Sequence, residues 1–252
     1  MDRRAGDSVI TVLTCRGAAE PLTGGNMLSN VTEQLDPSKY VIGQEIPYPA
    51  SVGPFNGDDN PLGPSEEESI ATGLPLLAAA IRATPNLVGL LGYSLGAELV
   101  SRFLELKAQG QYQDCELAWA GVVANPNRAP SESIDSDSTG SGINGAHSPW
   151  PAGLPVFTAA NPQDGITSCP DKSPLRDLAT AVAPFTFATL DWTPELAQSL
   201  IDGQWPTADY TPEQLAEAGT LIYGYLFGGE HTTAYIDGGY LDRLADLINQ
   251  QS

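Results

Sequence analysis

Residues 87–99, Leu87-Val88-Gly89-Leu90-Leu91-Gly92-Tyr93-Ser94-Leu95-Gly96-Ala97-Glu98-Leu99, decide how this chain folds. The first five are a continuous apolar run, the mark of a central strand covered on both faces. From Leu95 the period changes, and Leu95, Leu99, Phe103 and Leu106 recur at helical spacing until Gly110. A strand that enters a helix through Gly92-Tyr93-Ser94-Leu95-Gly96 must turn sharply, with glycines where the two backbones approach.

Working outward, Val9–Thr14, Tyr40–Ile46, Leu117–Ala124 and Leu154–Ala159 also read as strands. Ser65, followed by three glutamates in the first turn, opens a helix that runs to about Arg82. Leu241, Leu244, Leu247 and Ile248 give one apolar face to a last helix over about 240–249. Strands alternating with helices predict an α/β fold with a mainly parallel, doubly wound sheet, whose ligands bind at the carboxyl ends of its strands.

Two segments depart from that plan. Residues 125–153 are rich in Ser, Gly, Asp and Pro and read as a long irregular loop, within which 131–142 has no assignable role. Residues 173–230 carry three helix starts, Ser173-Pro174, Thr193-Pro194-Glu195 and Thr211-Pro212-Glu213, and read as a small helical insertion. The whole of 1–252 is expected to form one domain.

Composition excludes some classes of function. With 31 acidic against 11 basic residues, the net charge of −20 repels nucleic acid and anionic membrane. Such acidity also serves plain solubility. No stretch approaches the roughly 20 apolar residues of a membrane span. The apolar run Val9–Leu13 is too short for the core of a secretory signal, so no such leader is expected. Cys15, Cys115 and Cys169 allow at most one disulfide, with three buried thiols as the alternative.

Gly-x-Ser-x-Gly is by itself a weak signal in a chain with 26 glycines. Its position between an apolar strand and an amphipathic helix makes Ser94 a candidate nucleophile, with the Leu95 N–H and the helix N-terminus facing a developing oxyanion. A serine needs a base, and the chain order serine, acid, histidine requires one before the last helix. His231 fits. His147 lies in the long loop and, with Trp150, is a candidate for the substrate pocket. The acid belongs after the strand ending near Ala160, where Asp164 is the first candidate and Asp171 the alternative. The second oxyanion donor is expected in the turn Gly17-Ala18-Ala19. A serine, histidine and carboxylate set of this kind performs acyl transfer without metal or organic cofactor.

These motifs resemble a known family. Arg16-Gly17-Ala18-Ala19-Glu20-Pro21, the serine pentapeptide and His231-Thr232-Thr233-Ala234-Tyr235 are similar to the corresponding turns of cutinase-like α/β-hydrolases. Ala124-Asn125-Pro126-Asn127-Arg128, Gly145-Ala146-His147-Ser148-Pro149-Trp150-Pro151 and Ala160-Asn161-Pro162-Gln163-Asp164 look like the lysin B branch, from phages of mycobacteria and their relatives. The resemblance covers most of the chain from residue 8. It implies an esterase that cuts mycolic acids from arabinogalactan, with a lipid or glycolipid ester of the host envelope as partner and release to that envelope at lysis. It also implies Ser94, Asp164 and His231 as the triad, Ala18 and Leu95 as the oxyanion positions, and no cofactor. Cutinases flank their acid with paired cysteines, whereas here only Cys169 is near Asp164, so that disulfide does not carry over. The insertion offers Leu196, Leu200, Trp205, Leu215, Ile222 and Leu226 either to a groove for acyl chains or to a small core of its own.

Overall fold

A computed structural model describes residues 9–53, 56–58, 60, 62–135, 137–181 and 210–251. Five strands, β1 (Ile10–Cys15), β2 (Tyr40–Glu45), β3 (Val88–Tyr93), β4 (Leu117–Val123) and β5 (Val156–Ala159), form one sheet in the order β2-β1-β3-β4-β5. Every neighbouring pair is parallel. The chain moves outward from β1 to β2 and then returns to the other side of β1 as β3, so the strand order reverses between β1 and β3. The crevice beyond the carboxyl ends of those two strands is therefore where a ligand is expected.

Alternation along β3 divides the interior into two layers. Val88 and Leu90 join Leu13, Ala120 and Val122 beneath α2 (Glu66–Ala83) and α3 (Leu95–Ala108), which contribute Leu77, Ile81, Leu99 and Phe103. On the other face, Leu91 and Tyr93 join Val12, Trp119 and Val123 beneath α1 (Ser29–Thr32) and the C-terminal helix (Tyr240–Asn249). All six β3 residues are buried, as a strand covered on both faces requires. Each fully buried leucine contributes about 2 kcal/mol of transfer free energy.

Local signals fall close to their expected places. The Ser65 hydroxyl accepts from the Glu68 N–H and the Glu68 carboxylate accepts from the Ser65 N–H, a reciprocal cap that starts α2. The same device, Thr211 with Gln214, starts a helix over Pro212–Tyr223. Ser173-Pro174 opens α4 (Pro174–Ala181), whereas the Thr193 start lies outside the described residues. In chain order, α5 is Pro212–Tyr223, a short π-helical turn follows at Gly224–Gly228, α6 is Thr233–Asp237 and α7 is Tyr240–Asn249. α1, α6 and the π turn are too short to leave a periodic pattern in sequence.

The long loop has an unexpected organiser. Arg128 is fully buried, and its guanidinium donates to the carbonyls of Thr167, Ala129, Glu132, Thr139 and Gly140. Arg176 does the same for Pro170, Gly142, Ile143, Ser141 and Cys169. Between them they clamp residues 129–143 and 167–170 together around the bridge of Ser141 to Cys169. The Ser-rich segment thus braces the loop that carries Asp164. Cys15, Cys115 and Cys169 are all free thiols and all buried, so the expectation of at most one disulfide resolves to none. Among the described residues no helix is long and apolar enough to cross a membrane.

Candidate active site

Ser94 sits directly after β3 with φ 52° and ψ −118°, a strained backbone for a residue with a side chain. The turn is held by close backbone contact. A Cβ on Gly92 would lie 2.4 Å from the Gly96 carbonyl oxygen, and one on Gly96 would lie 1.9 Å from that of Cys15. Only glycine lets α3 descend onto the end of β1 at this distance. Ala19 (φ 59°), in the turn after β1, and Ala124 (φ 53°), directly after β4, also adopt left-handed backbone.

Ser94 Oγ is 2.9 Å from His231 Nε2, and His231 Nδ1 is 2.8 Å from Asp164 Oδ2. An ionised carboxylate can only accept, so Nδ1 carries the hydrogen and the Nε2 lone pair faces the Ser94 hydroxyl. Asp164 is completely buried, and its other oxygen accepts the Ile166 N–H at 3.0 Å. Asp171 is exposed, and the His231 Nδ1 contact goes to Asp164. The fold therefore brings Asp164, not the alternative, to the imidazole.

The turn after β1 lies over the same site. Ala19 N–H donates to the Ala50 carbonyl, and the Glu20 carboxylate accepts the N–H groups of Gly17 at 2.7 Å and Met27 at 2.8 Å. Arg16, almost wholly buried, donates to the carbonyls of Glu20, Ile46 and Tyr48 and fastens the turn to the chain after β2. Among the described residues nothing accepts the N–H of Ala18 or of Leu95. Both amides belong to the turns that follow β1 and β3. The sequence motif contained Arg16 and Glu20, but their roles depend on contacts that only the fold makes.

Three tyrosines line the His231–Asp164 pair, and although two of them belong to the quoted motifs, no local pattern assigns them these partners. Tyr93 OH donates to the His231 carbonyl at 2.6 Å, and its ring stacks on the imidazole at 5.6 Å. The Tyr225 ring lies 5.5 Å from the imidazole, and Tyr235 OH is 2.9 Å from Asp164 Oδ2. Burial, reinforced by the Asp164 charge, pushes the Tyr225 phenol up to about 12 and the Tyr235 phenol well above its usual value. Both stay neutral at ordinary pH.

The pocket candidates lie elsewhere. His147 stacks on Trp150 with ring centres 3.6 Å apart and meets Glu132 at 2.7 Å, while the Trp150 N–H reaches Ser101 on α3. Burial opposes a charge on His147, but the hydrogen bonds it donates to Glu132 and the Ser148 carbonyl outweigh it and raise its pKa. The polar and ring contacts of both residues are thus with Glu132, Ser148, Ser101 and each other, not with Ser94, His231 or Asp164. In the insertion, Ile222 is fully buried and so does not line an open groove; Leu196, Leu200 and Trp205 lie outside the described residues. The open apolar surface next to the histidine loop is instead Tyr223 and Phe227, whose rings are 5.5 Å apart.

Glu98, one turn into α3, is buried beside the Glu66 carboxylate, and Oε2 meets no donor among the described residues. Burial and the neighbouring Glu66 carboxylate hold its carboxyl well above the usual range, with Arg102 offsetting only part. An acid whose folded pKa is raised stabilises fully below its unfolded value, and that contribution is lost as pH rises through the folded one. Glu98→Gln removes the loss, so thermal unfolding should show a melting point several degrees higher than wild type at pH 8 and little or no gain near pH 4. An equal difference at both pH values would contradict this origin.

No protein-family model matches the chain, and no curated protein matches it in sequence. Among solved structures, the catalytic core domain of an acetyl xylan esterase from Trichoderma reesei is similar over 73% of this chain and 98% of its own, with a TM-score of 0.50 and 18% identity. A cutinase-like protein from Cryptococcus sp. is similar over 88% of this chain and 94% of its own, with a TM-score of 0.46 and 16% identity. With its five-stranded parallel sheet and flanking helices, the chain has the α/β-hydrolase fold.

Proposed function

We propose that the protein is a serine ester hydrolase acting through an acyl-enzyme. The observation that carries this reading is the continuous hydrogen-bonded chain from Ser94 through His231 to Asp164, set at a strained turn beside two unpaired amides. Ser94 attacks the ester carbonyl while His231 Nε2 takes its proton. The carbonyl electrons move to oxygen, where the Ala18 and Leu95 N–H groups stabilise the oxyanion. Asp164 holds the imidazole in the reactive tautomer and stabilises the imidazolium. As the tetrahedral species collapses, His231 returns the proton to the departing alcohol. Water, deprotonated by the same nitrogen, attacks the acyl carbon, and collapse of the second tetrahedral species frees the acid while His231 returns the proton to Ser94 Oγ.

For the substrate we propose a mycolic acid ester of arabinogalactan, cleaved at the envelope of the host after release at lysis. Support comes from the lysin B-like stretches around Arg128, Trp150 and Asp164 and from the exposed Tyr223 and Phe227 beside the histidine loop, which suit a long acyl chain. The test combines p-nitrophenyl butyrate, purified mycobacterial cell walls, triglyceride and acetylated xylan. The expected result is turnover of the first and free mycolic acids from the walls, detected by mass spectrometry. Triglyceride or xylan cleavage with no mycolate released would replace the substrate class. No ester turnover, with no labelling of Ser94 by a fluorophosphonate, would make the chain a silent scaffold and overturn the mechanism.

A further inference from the structure

Asp164 Oδ2 accepts two hydrogens, not one. Besides the His231 Nδ1–H, the Tyr235 hydroxyl lies 2.9 Å from the same oxygen. The direction of that bond follows from the next link, because the Asn161 backbone N–H is 3.1 Å from the Tyr235 oxygen. A backbone N–H can only donate, so the phenol oxygen accepts there and turns its own hydrogen to Asp164. Tyr235 is itself fully buried and packed against Tyr240, which leaves its ring one orientation. Asn161 also ties this strand end to the histidine loop, donating through its side chain to the Glu230 carbonyl and carboxylate at 2.8 Å each.

From this geometry we infer that Tyr235 is a positioning residue of the catalytic chain: it fixes the rotation of the Asp164 carboxylate so that Oδ2 faces His231 Nδ1. The inference rests on the hydrolase reading of Ser94 and His231. Asp164 Oδ1 is occupied by the Ile166 N–H, and with Oδ2 held between Tyr235 and His231 the carboxylate has no freedom to turn. Loss of the hydroxyl removes one of the two donors at Oδ2 and leaves the Asn161 N–H without an acceptor, while the ring still fills its place. Tyr235 lies within α6, four residues after His231, so the histidine and the residue that orients its acid arrive on the same short segment. Substrate never meets Tyr235, so the consequence belongs to the chemical step and not to binding.

Tyr235→Phe tests this with p-nitrophenyl butyrate kinetics and with the downfield proton resonance of His231 Nδ1. The variant is expected to lose about 10-fold in kcat, the worth of a hydrogen bond to a charged group, with KM unchanged and the resonance displaced. An unchanged kcat, a fall matched by a rise in KM, or a resonance at the wild-type position would overturn the proposal. A wild-type protein without ester turnover removes the hydrolase reading instead, and the position of the resonance in the two proteins then decides the role of Tyr235 by itself.

Discussion

Ser94→Ala is expected to lower kcat on p-nitrophenyl butyrate by about a million-fold, to the level left by the oxyanion amides and binding. The substitution removes one oxygen and little else. Ser94 precedes α3 without capping it through its side chain, and its left-handed backbone is as strained for alanine as for serine. The melting temperature should therefore stay close to wild type. Circular dichroism and thermal scans beside the kinetics separate a lost nucleophile from a lost fold, and turnover that survives in a folded variant would dismiss Ser94.

Asp164→Asn should cost about 10,000-fold in kcat with the fold retained. Asparagine keeps the shape of the carboxylate but not its charge, and its amide can present a donor to His231 Nδ1. The imidazole then carries its hydrogen on Nε2, which points at Ser94 Oγ and can no longer accept. The imidazolium formed during attack also loses its buried counter-charge. Asp171→Asn, at an exposed position 7 residues along, should leave kcat within about twofold, as most surface substitutions leave stability and local geometry. A larger loss at Asp171 than at Asp164 would reverse the assignment.

Much of this was legible before any coordinates. The apolar run before Ser94 and the helical period after it are local patterns, and β3, the turn and α3 appear within a few residues of their expected bounds. The Ser65 cap and the two described Ser/Thr-Pro starts behaved in the same way, because a cap satisfies N–H groups within its own first turn. His231 was readable because only two histidines exist and chain order disfavours His147. By contrast, Ile222 had the composition of a groove residue, but composition does not say which side of a helix meets the protein. It points inward, and Tyr223, its neighbour, points out.

Sequence by itself therefore determined the alternating α/β plan, the turn at Ser94 and which histidine meets it, all of which follow from contacts among near neighbours or from a scarcity of candidates. Tertiary structure alone brought Asp164 and not Asp171 to the imidazole, showed Arg128 and Arg176 bracing the loop that carries Asp164, and put Tyr235 on its carboxylate. The physical reason is separation along the chain. Ser94 and His231 are 137 positions apart and Asp164 and His231 are 67 apart. Hydrogen bonds over such distances depend on where the sheet order β2-β1-β3-β4-β5 brings the strand ends, and no local periodicity encodes them.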